Sequence, residues 1–336
     1  MILRCILWIF SLACSLQAAL FDFPTQNHSL INAKPEDFFM YVNRDFEGVQ
    51  SKAWEGGTFG YVRNPHRLGN DVIYAAFHEG IDIAPLLRDP AGNPLDDIMA
   101  SANGIVVHTS REAGASNYGR YIVIEHLIEG SPVYTLYAHL STIAVEPGQH
   151  VKQGDVIARM GFTGAGIDRE RAHLHFEIDL MWNSHFESWY NHYFKGSPNK
   201  HGIFHGYNLI GLDPAAILLS SAQAPNFSFA EFIKSQDSYY KITIPETPEI
   251  IRHYPWIANA GEDSNPPAWT IAFNRNGVPI SATACQHCPT NPQLEWVSET
   301  PLAYTYATRG IVGGSRGTPR LTDSGKRFAE LIALPE

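Results

Sequence analysis

Between about residue 59 and residue 180 the chain breaks into short β-rich runs. These are Ile105–His108, Tyr121–His126, Tyr134–His139, Val156–Met160 and His173–Ile178. Clusters such as Ala113-Gly114-Ala115-Ser116-Asn117 and Glu129-Gly130-Ser131-Pro132 part them. β-Branched and aromatic side chains suit a pleated surface, and glycine, asparagine and proline suit turns. Strands at this spacing predict an antiparallel sheet, sandwich or small barrel rather than βαβ units.

The rest of the chain is organised around that stretch. A length of 336 residues suggests about two domains. The predicted fold is mainly β: an antiparallel sheet or sandwich domain over 59–220, preceded by an N-terminal segment 20–58 and followed by a smaller α+β domain over 221–336. Short helices are expected at Pro35–Val42, Pro214–Ser220 and Phe229–Ser235, with strands at Tyr240–Ile244 and Trp269–Phe273. A closing helix, Thr322–Ala333, is expected to be capped by Thr322 or Asp323. Residues 179–212 interrupt the β texture with an insertion rich in aromatics and histidines. It is expected either to wall a groove or to cover a sheet edge.

Composition removes whole classes of function. With 44% hydrophobic and 17% charged residues, disorder is excluded as the main state. A formal charge of −10 argues against a nucleic-acid partner. Residues 1–19 carry one charge, Arg4, then an apolar run and the small residues Ala18 and Ala19. This is the order of a secretory signal peptide. It predicts export to a periplasmic or extracellular space, with no membrane span in the mature chain. Lipidation at Cys14 is disfavoured because Ser11 stands where a branched apolar residue is expected. The mature chain keeps Cys285 and Cys288, expected to form a short-loop disulfide or a plain thiol pair.

Histidine is abundant, at 15 residues. His78-Glu79-Gly80-Ile81-Asp82 offers an imidazole and a carboxylate across a glycine turn. In His173-Leu174-His175-Phe176-Glu177, alternate residues of a strand share a face, so His173, His175 and Glu177 point one way and Leu174 and Phe176 the other. Two histidines and an aspartate leave a fourth position open, the pattern of a catalytic zinc site. His139 closes another run, in Tyr137-Ala138-His139-Leu140. Alone, two histidines on one strand face read equally well as surface residues.

These pieces stand in the order of a known family. Gly60-Tyr61-Val62-Arg63-Asn64-Pro65, His78-Glu79-Gly80-Ile81-Asp82, Ala102-Asn103-Gly104-Ile105-Val106 and Tyr118–His126 follow one another. Tyr137-Ala138-His139-Leu140, Gly148–Asp155, Gly161-Phe162-Thr163-Gly164 and His173–Glu177 complete the series. Together they resemble the lysostaphin-type (LytM-like) zinc metallopeptidases, which cut peptide bonds in bacterial cell-wall peptidoglycan. The resemblance covers about Phe59 to Ile178. It implies that His78, Asp82 and His175 hold one zinc ion per chain and that His139 and His173 assist catalysis. Glu177 is either a partner that fixes an imidazole tautomer or a plain polar strand residue, and His126 is a structural or supporting histidine near the site. Peptidoglycan peptides are the implied substrate. Relatives that have lost ligands act as regulators, so a non-catalytic wall binder or activator is the alternative. A lipoyl-type carrier would share the Gly148–Gly154 hairpin, but Lys152 lacks the methionine context, and a carrier leaves the five site residues unexplained.

Overall fold

The computed structural model describes residues 19–259, 266–315 and 317–335. All but the last residue of the expected signal segment, Cys14 included, lies outside these.

Strands run in chain order as β1 Gly60–Leu68, β2 Asp71–His78, β3 Ile81–Ile83, β4 Asp97–Met99, β5 Gly104–Ser110, β6 Tyr121–Ile128, β7 Ser131–Ala138, β8 Thr142–Ile143, β9 His150–Val151, β10 Val156–Arg159 and β11 Leu174–Met181. β12 Leu209–Gly211, β13 Tyr240–Pro245, β14 Ala268–Phe273, β15 Pro279–Cys285, β16 Gln293–Val297, β17 Val312–Ser315 and β18 Thr318–Leu321 follow. The helices are α1 Pro35–Phe38, α2 Phe186–Tyr193, α3 Pro214–Gln223, α4 Phe229–Lys234, α5 Glu249–His253, α6 Tyr304–Ala307 and α7 Asp323–Ile332.

The main sheet has the order β12-β11-β7-β6-β5-β9, and β3 also pairs with β11. Every ladder between these strands is antiparallel. The fold is mainly β, as the run pattern predicts. Period-two alternation assigns the two faces. Leu174, Phe176, Ile178 and Leu180 of β11 join Ile122 and Ile124 of β6 in the larger apolar core. Each such side chain contributes about 1.5–3 kcal/mol on burial. His175, Glu177 and Asp179 of β11 face the other way and carry polar groups, and Met181 joins a smaller apolar cluster on that face.

The N-terminal segment is a brace that no sequence signal announced. Phe39 bridges to Ile83, and the Met40 amide donates to the Asp82 carbonyl at 2.8 Å. It therefore extends the sheet beside β3 and fixes that short strand from outside.

The insertion does both things expected of it. Its last part, β12, pairs with β11 through Asp179–Met181 and covers that edge. Phe186, Trp189 and Tyr190 of α2 are buried, while His201, His205 and Tyr207 face a cleft beside the main sheet. The C-terminal part builds a separate antiparallel sheet of order β15-β14-β13-β16. It joins the insertion through Trp182, whose ring lies 5.1 Å from Phe328 and 6.2 Å from Phe273. α7 is capped by Thr322, which accepts from the Gly325 amide at 2.9 Å. Among the described residues no helix is long and apolar enough to cross a membrane.

Of the two expectations for Cys285 and Cys288, the structure shows the plain thiols: both stand free. Cys285 Sγ donates to the His287 carbonyl at 3.2 Å and Cys288 Sγ faces the Pro289 carbonyl at 3.8 Å. The turn after β15 aims each sulfur at backbone rather than at the other.

Candidate metal centre

His78 closes β2, and the chain turns through Glu79-Gly80 into β3. A Cβ on Gly80 would lie 2.4 Å from the Phe176 carbonyl oxygen, so only glycine lets this turn press onto β11. β3 then pairs with β11 in a register that sets Asp82 directly opposite His175. His173 immediately precedes β11, and His139 follows β7, the neighbour of β11 on its other side.

Three donor atoms converge. His78 Nε2 lies 3.1 Å from His175 Nδ1 and 3.2 Å from Asp82 Oδ1, and His175 Nδ1 lies 3.1 Å from Asp82 Oδ1. Four-coordinate zinc with bonds of about 2.0–2.1 Å has donor–donor edges of about 3.3–3.4 Å. The triangle therefore has close to the size of one face of a zinc tetrahedron, and the residues fit a metal of that kind.

The remaining ring nitrogens are fixed. His78 Nδ1 donates to the Thr58 carbonyl at 2.8 Å, and His175 Nε2 donates to Glu177 Oε1 at 2.6 Å. Each bond can hold a ring proton away from the centre, so that the nitrogen facing it would offer its lone pair to a metal once any proton there is displaced. Glu177 also accepts from the Tyr118 hydroxyl at 2.9 Å. Glu177 is thus the partner of an imidazole.

The electrostatics follow from burial and charge. His78, Asp82 and His175 are all buried. Burial lowers the pKa of His78, keeping it neutral. Burial opposes ionisation of Asp82, but the surrounding histidines win and hold it well below the usual carboxylate range. His175 is pushed by burial toward neutrality, yet its bonds to Asp82 and Glu177 raise it to about 9. A site that draws in a proton so strongly has negative charge to share with a cation.

His139 and His173 stand beside the triangle, their ring centroids 4.8 Å apart. His139 Nδ1 donates to the Thr163 carbonyl at 2.9 Å and His173 Nδ1 to the Arg171 carbonyl at 2.6 Å. His139 thereby turns Nε2 toward the cleft, while His173 Nε2 lies 3.4 Å from Asp82 Oδ1. Burial, then the neighbouring histidines, hold the His139 pKa well below its usual value. His139 also has φ of 63°, a left-handed conformation that costs a non-glycine residue about 1–3 kcal/mol.

All five residues and Glu177 line one cleft of about 840 Å³, together with Arg63, Glu79, Tyr118, Arg171, Tyr207 and Arg309. Arg63 has no role in the sequence reading. Its guanidinium pairs with Asp82 and donates to His78 Nε2 at 3.1 Å. A lone pair given to a metal is unavailable to Arg63, so that last contact and metal binding at His78 exclude one another. Tyr118 and the Thr58 carbonyl were also missed, since contacts so distant in sequence leave no periodic signal.

Of the two roles implied for His126, its surroundings match the structural one. It is buried, with Nδ1 donating to the Asn103 carbonyl at 2.8 Å and Nε2 lying 2.7 Å from Thr135 Oγ1. Its ring meets Phe21 edge-on at 6.0 Å. As an even-numbered residue of β6 it shares the core face with Ile122 and Ile124, not the cleft face. Burial depresses its pKa from 6.5 to about 4. The unfolded chain therefore binds a proton that the folded protein refuses. Stability from this group is full above about pH 6.5 and is lost as pH falls toward 4, by roughly 3 kcal/mol in all. His126→Asn is expected to be less stable than wild type at pH 7 but to lose less on going to pH 5. Urea midpoints at the two pH values check this; parallel acid losses in both proteins would refute it.

Comparison with known proteins adds an independent line. A family model described as Peptidase family M23 matches residues 76–187. The chain is 39% identical over 90 residues to a protein named Lipoprotein NlpD from Yersinia enterocolitica, covering 27% of this chain and 84% of that protein. It is 33% identical over 111 residues to a Lipoprotein NlpD/LppB homolog from Pseudomonas aeruginosa, covering 33% of this chain. It is 38% identical over 126 residues to a Murein hydrolase activator NlpD from Salmonella typhimurium, covering 38% of this chain. The chain spans 32% of the length of the Pseudomonas relative and 28% of the Salmonella relative.

Proposed function

The chain belongs to peptidase family M23, and we propose that it is an exported zinc-dependent endopeptidase that hydrolyses peptide bonds in bacterial cell-wall peptidoglycan. The observation that carries this is the donor triangle of His78, Asp82 and His175 with two further histidines beside it. A structural metal site has no use for an open fourth position flanked by proton-exchanging groups. In this reading 59–220 is the peptidase domain and 221–336 a smaller domain packed against its insertion.

His78, Asp82 and His175 would hold the zinc ion, which would supply Lewis acidity toward the scissile carbonyl and lower the pKa of bound water to near neutral. The chain supplies the rest. Glu177 and Thr58 fix the imidazole tautomers. His139 and His173, each with Nδ1 tied to a backbone carbonyl, present Nε2 to take a proton from water, to donate to a developing oxyanion, or to protonate the departing amine. The cleft of about 840 Å³ has the volume to take a short peptide. The lipoprotein names of the relatives, together with the signal-like residues 1–19, support a location in the cell envelope.

The second reading is a non-catalytic activator of another wall hydrolase. It is favoured by the name of the Salmonella relative and by Arg63, which engages two of the three metal-facing side chains. One experiment separates the two. Purified peptidoglycan is digested with zinc-loaded wild type and with His173→Ala, and released peptides are identified by mass spectrometry. New peptide termini from wild type alone are expected, and they identify the bond cut. A zinc-loaded wild type that releases nothing sinks the peptidase reading.

A further inference from the structure

Asp179 is the next residue of β11 on the face that carries His175 and Glu177, buried behind them rather than lining the cleft. It is fully buried, and neither carboxylate oxygen has a hydrogen-bond donor. Tyr134 of β7 and Gly211 of β12 stand opposite it in the ladders. The titratable groups that face it are Glu177 on its own strand, Glu79 from the turn before β3, Tyr118 from the loop before β6, and Tyr254 after α5. No cation is among them. The hydroxyl of Tyr118 is committed to Glu177, and that of Tyr254 accepts from the Met181 amide at 3.0 Å.

A buried carboxylate without a donor costs several kcal/mol, and a second carboxylate beside it adds repulsion. One proton removes both costs. Glu177 already has two donors, His175 Nε2 and the Tyr118 hydroxyl, whereas Asp179 has none, so the proton belongs on Asp179. Placed there, it turns a repulsive pair into a hydrogen bond. We propose that Asp179 is a neutral carboxylic acid that donates a hydrogen bond to Glu177, and that it thereby positions His175 to offer Nδ1 to a metal. Burial, then the charge on Glu177, act in the same direction, raising the Asp179 pKa well above the carboxylate range. Held from behind, Glu177 is a fixed acceptor for His175 Nε2–H, and the column Asp179–Glu177–His175 sets the tautomer. Asp179 touches no reacting atom and is a positioning residue. The metal half of the inference rests on His175 as a ligand; the protonation of Asp179 does not.

Two variants test it. Asp179→Asn replaces the neutral acid by an amide that also donates to Glu177; Asp179→Leu removes the donor. Infrared difference spectra of metal-free protein at neutral pH are expected to show a carboxylic-acid C=O band in wild type that Asp179→Asn lacks. In competition against a chelator, Asp179→Asn is expected to hold zinc within about twofold of wild type and Asp179→Leu about tenfold more weakly. Absence of the band overturns the proposal, as does unchanged zinc affinity in Asp179→Leu or equal weakening in both variants. If Asp179→Leu fails to fold, the band and Asp179→Asn still decide. A wild type that binds no zinc removes the ligand assignment instead, and the band alone then judges Asp179.

Discussion

Purified His175→Ala is expected to retain almost no zinc after dialysis, with affinity at least about a hundredfold below wild type. His175 sits at the centre of the arrangement. Its Nδ1 lies 3.1 Å from both other donor atoms, and its Nε2 is tied to Glu177. Removing it leaves two donors, too few for a zinc site, and frees Glu177 to turn into the cleft. The fold should survive, because β11 is held to β7 and β3 through backbone ladders that the substitution does not touch. Metal analysis with circular dichroism on the same sample decides the matter. Stoichiometric zinc in a folded His175→Ala protein would remove the ligand assignment, and with it the proposed chemistry.

The second large effect is expected at His139. His139→Ala should keep its zinc and lose wall-peptide cleavage by about 10²–10⁴-fold, the usual contribution of a positioned acid or base. None of the three donor atoms belongs to His139, so metal affinity has no reason to fall. Alanine is not at ease at a φ of 63°, so His139→Asn serves as a control, asparagine tolerating the left-handed region better. Both variants should fail in turnover and bind zinc like wild type. Undiminished turnover in either would show that His139 is a structural residue, strained for some other reason.

Much of the site was legible from the chain because strands carry a period of two. His173, His175 and Glu177 share a face by parity alone, and parity also sends Leu174 and Phe176 into the core. The same rule, applied to β6, would have taken His126 away from the cleft: Ile122, Ile124 and His126 alternate with residues of the opposite face. The resemblance implied only a structural or supporting histidine near the site; register along β6 puts it on the core face. Glu177 shows the reverse limit. Parity placed it on the right face, but only the Tyr118 hydroxyl and His175 Nε2 meeting on one oxygen distinguish a tautomer-fixing carboxylate from a plain polar residue.

Local rules thus determined the β-rich texture, the glycine turn between His78 and Asp82, and the residue types able to hold a metal, because period, turn chemistry and ligand chemistry are all properties of neighbours in sequence. Tertiary structure alone decided what meets across long separations. It set Asp82 opposite His175, laid the N-terminal segment against β3, turned Arg63 onto the metal-facing side chains and left Asp179 in a pocket without a donor. Register between distant strands and the desolvation of a carboxylate depend on what the rest of the chain packs against them, and no local pattern encodes that.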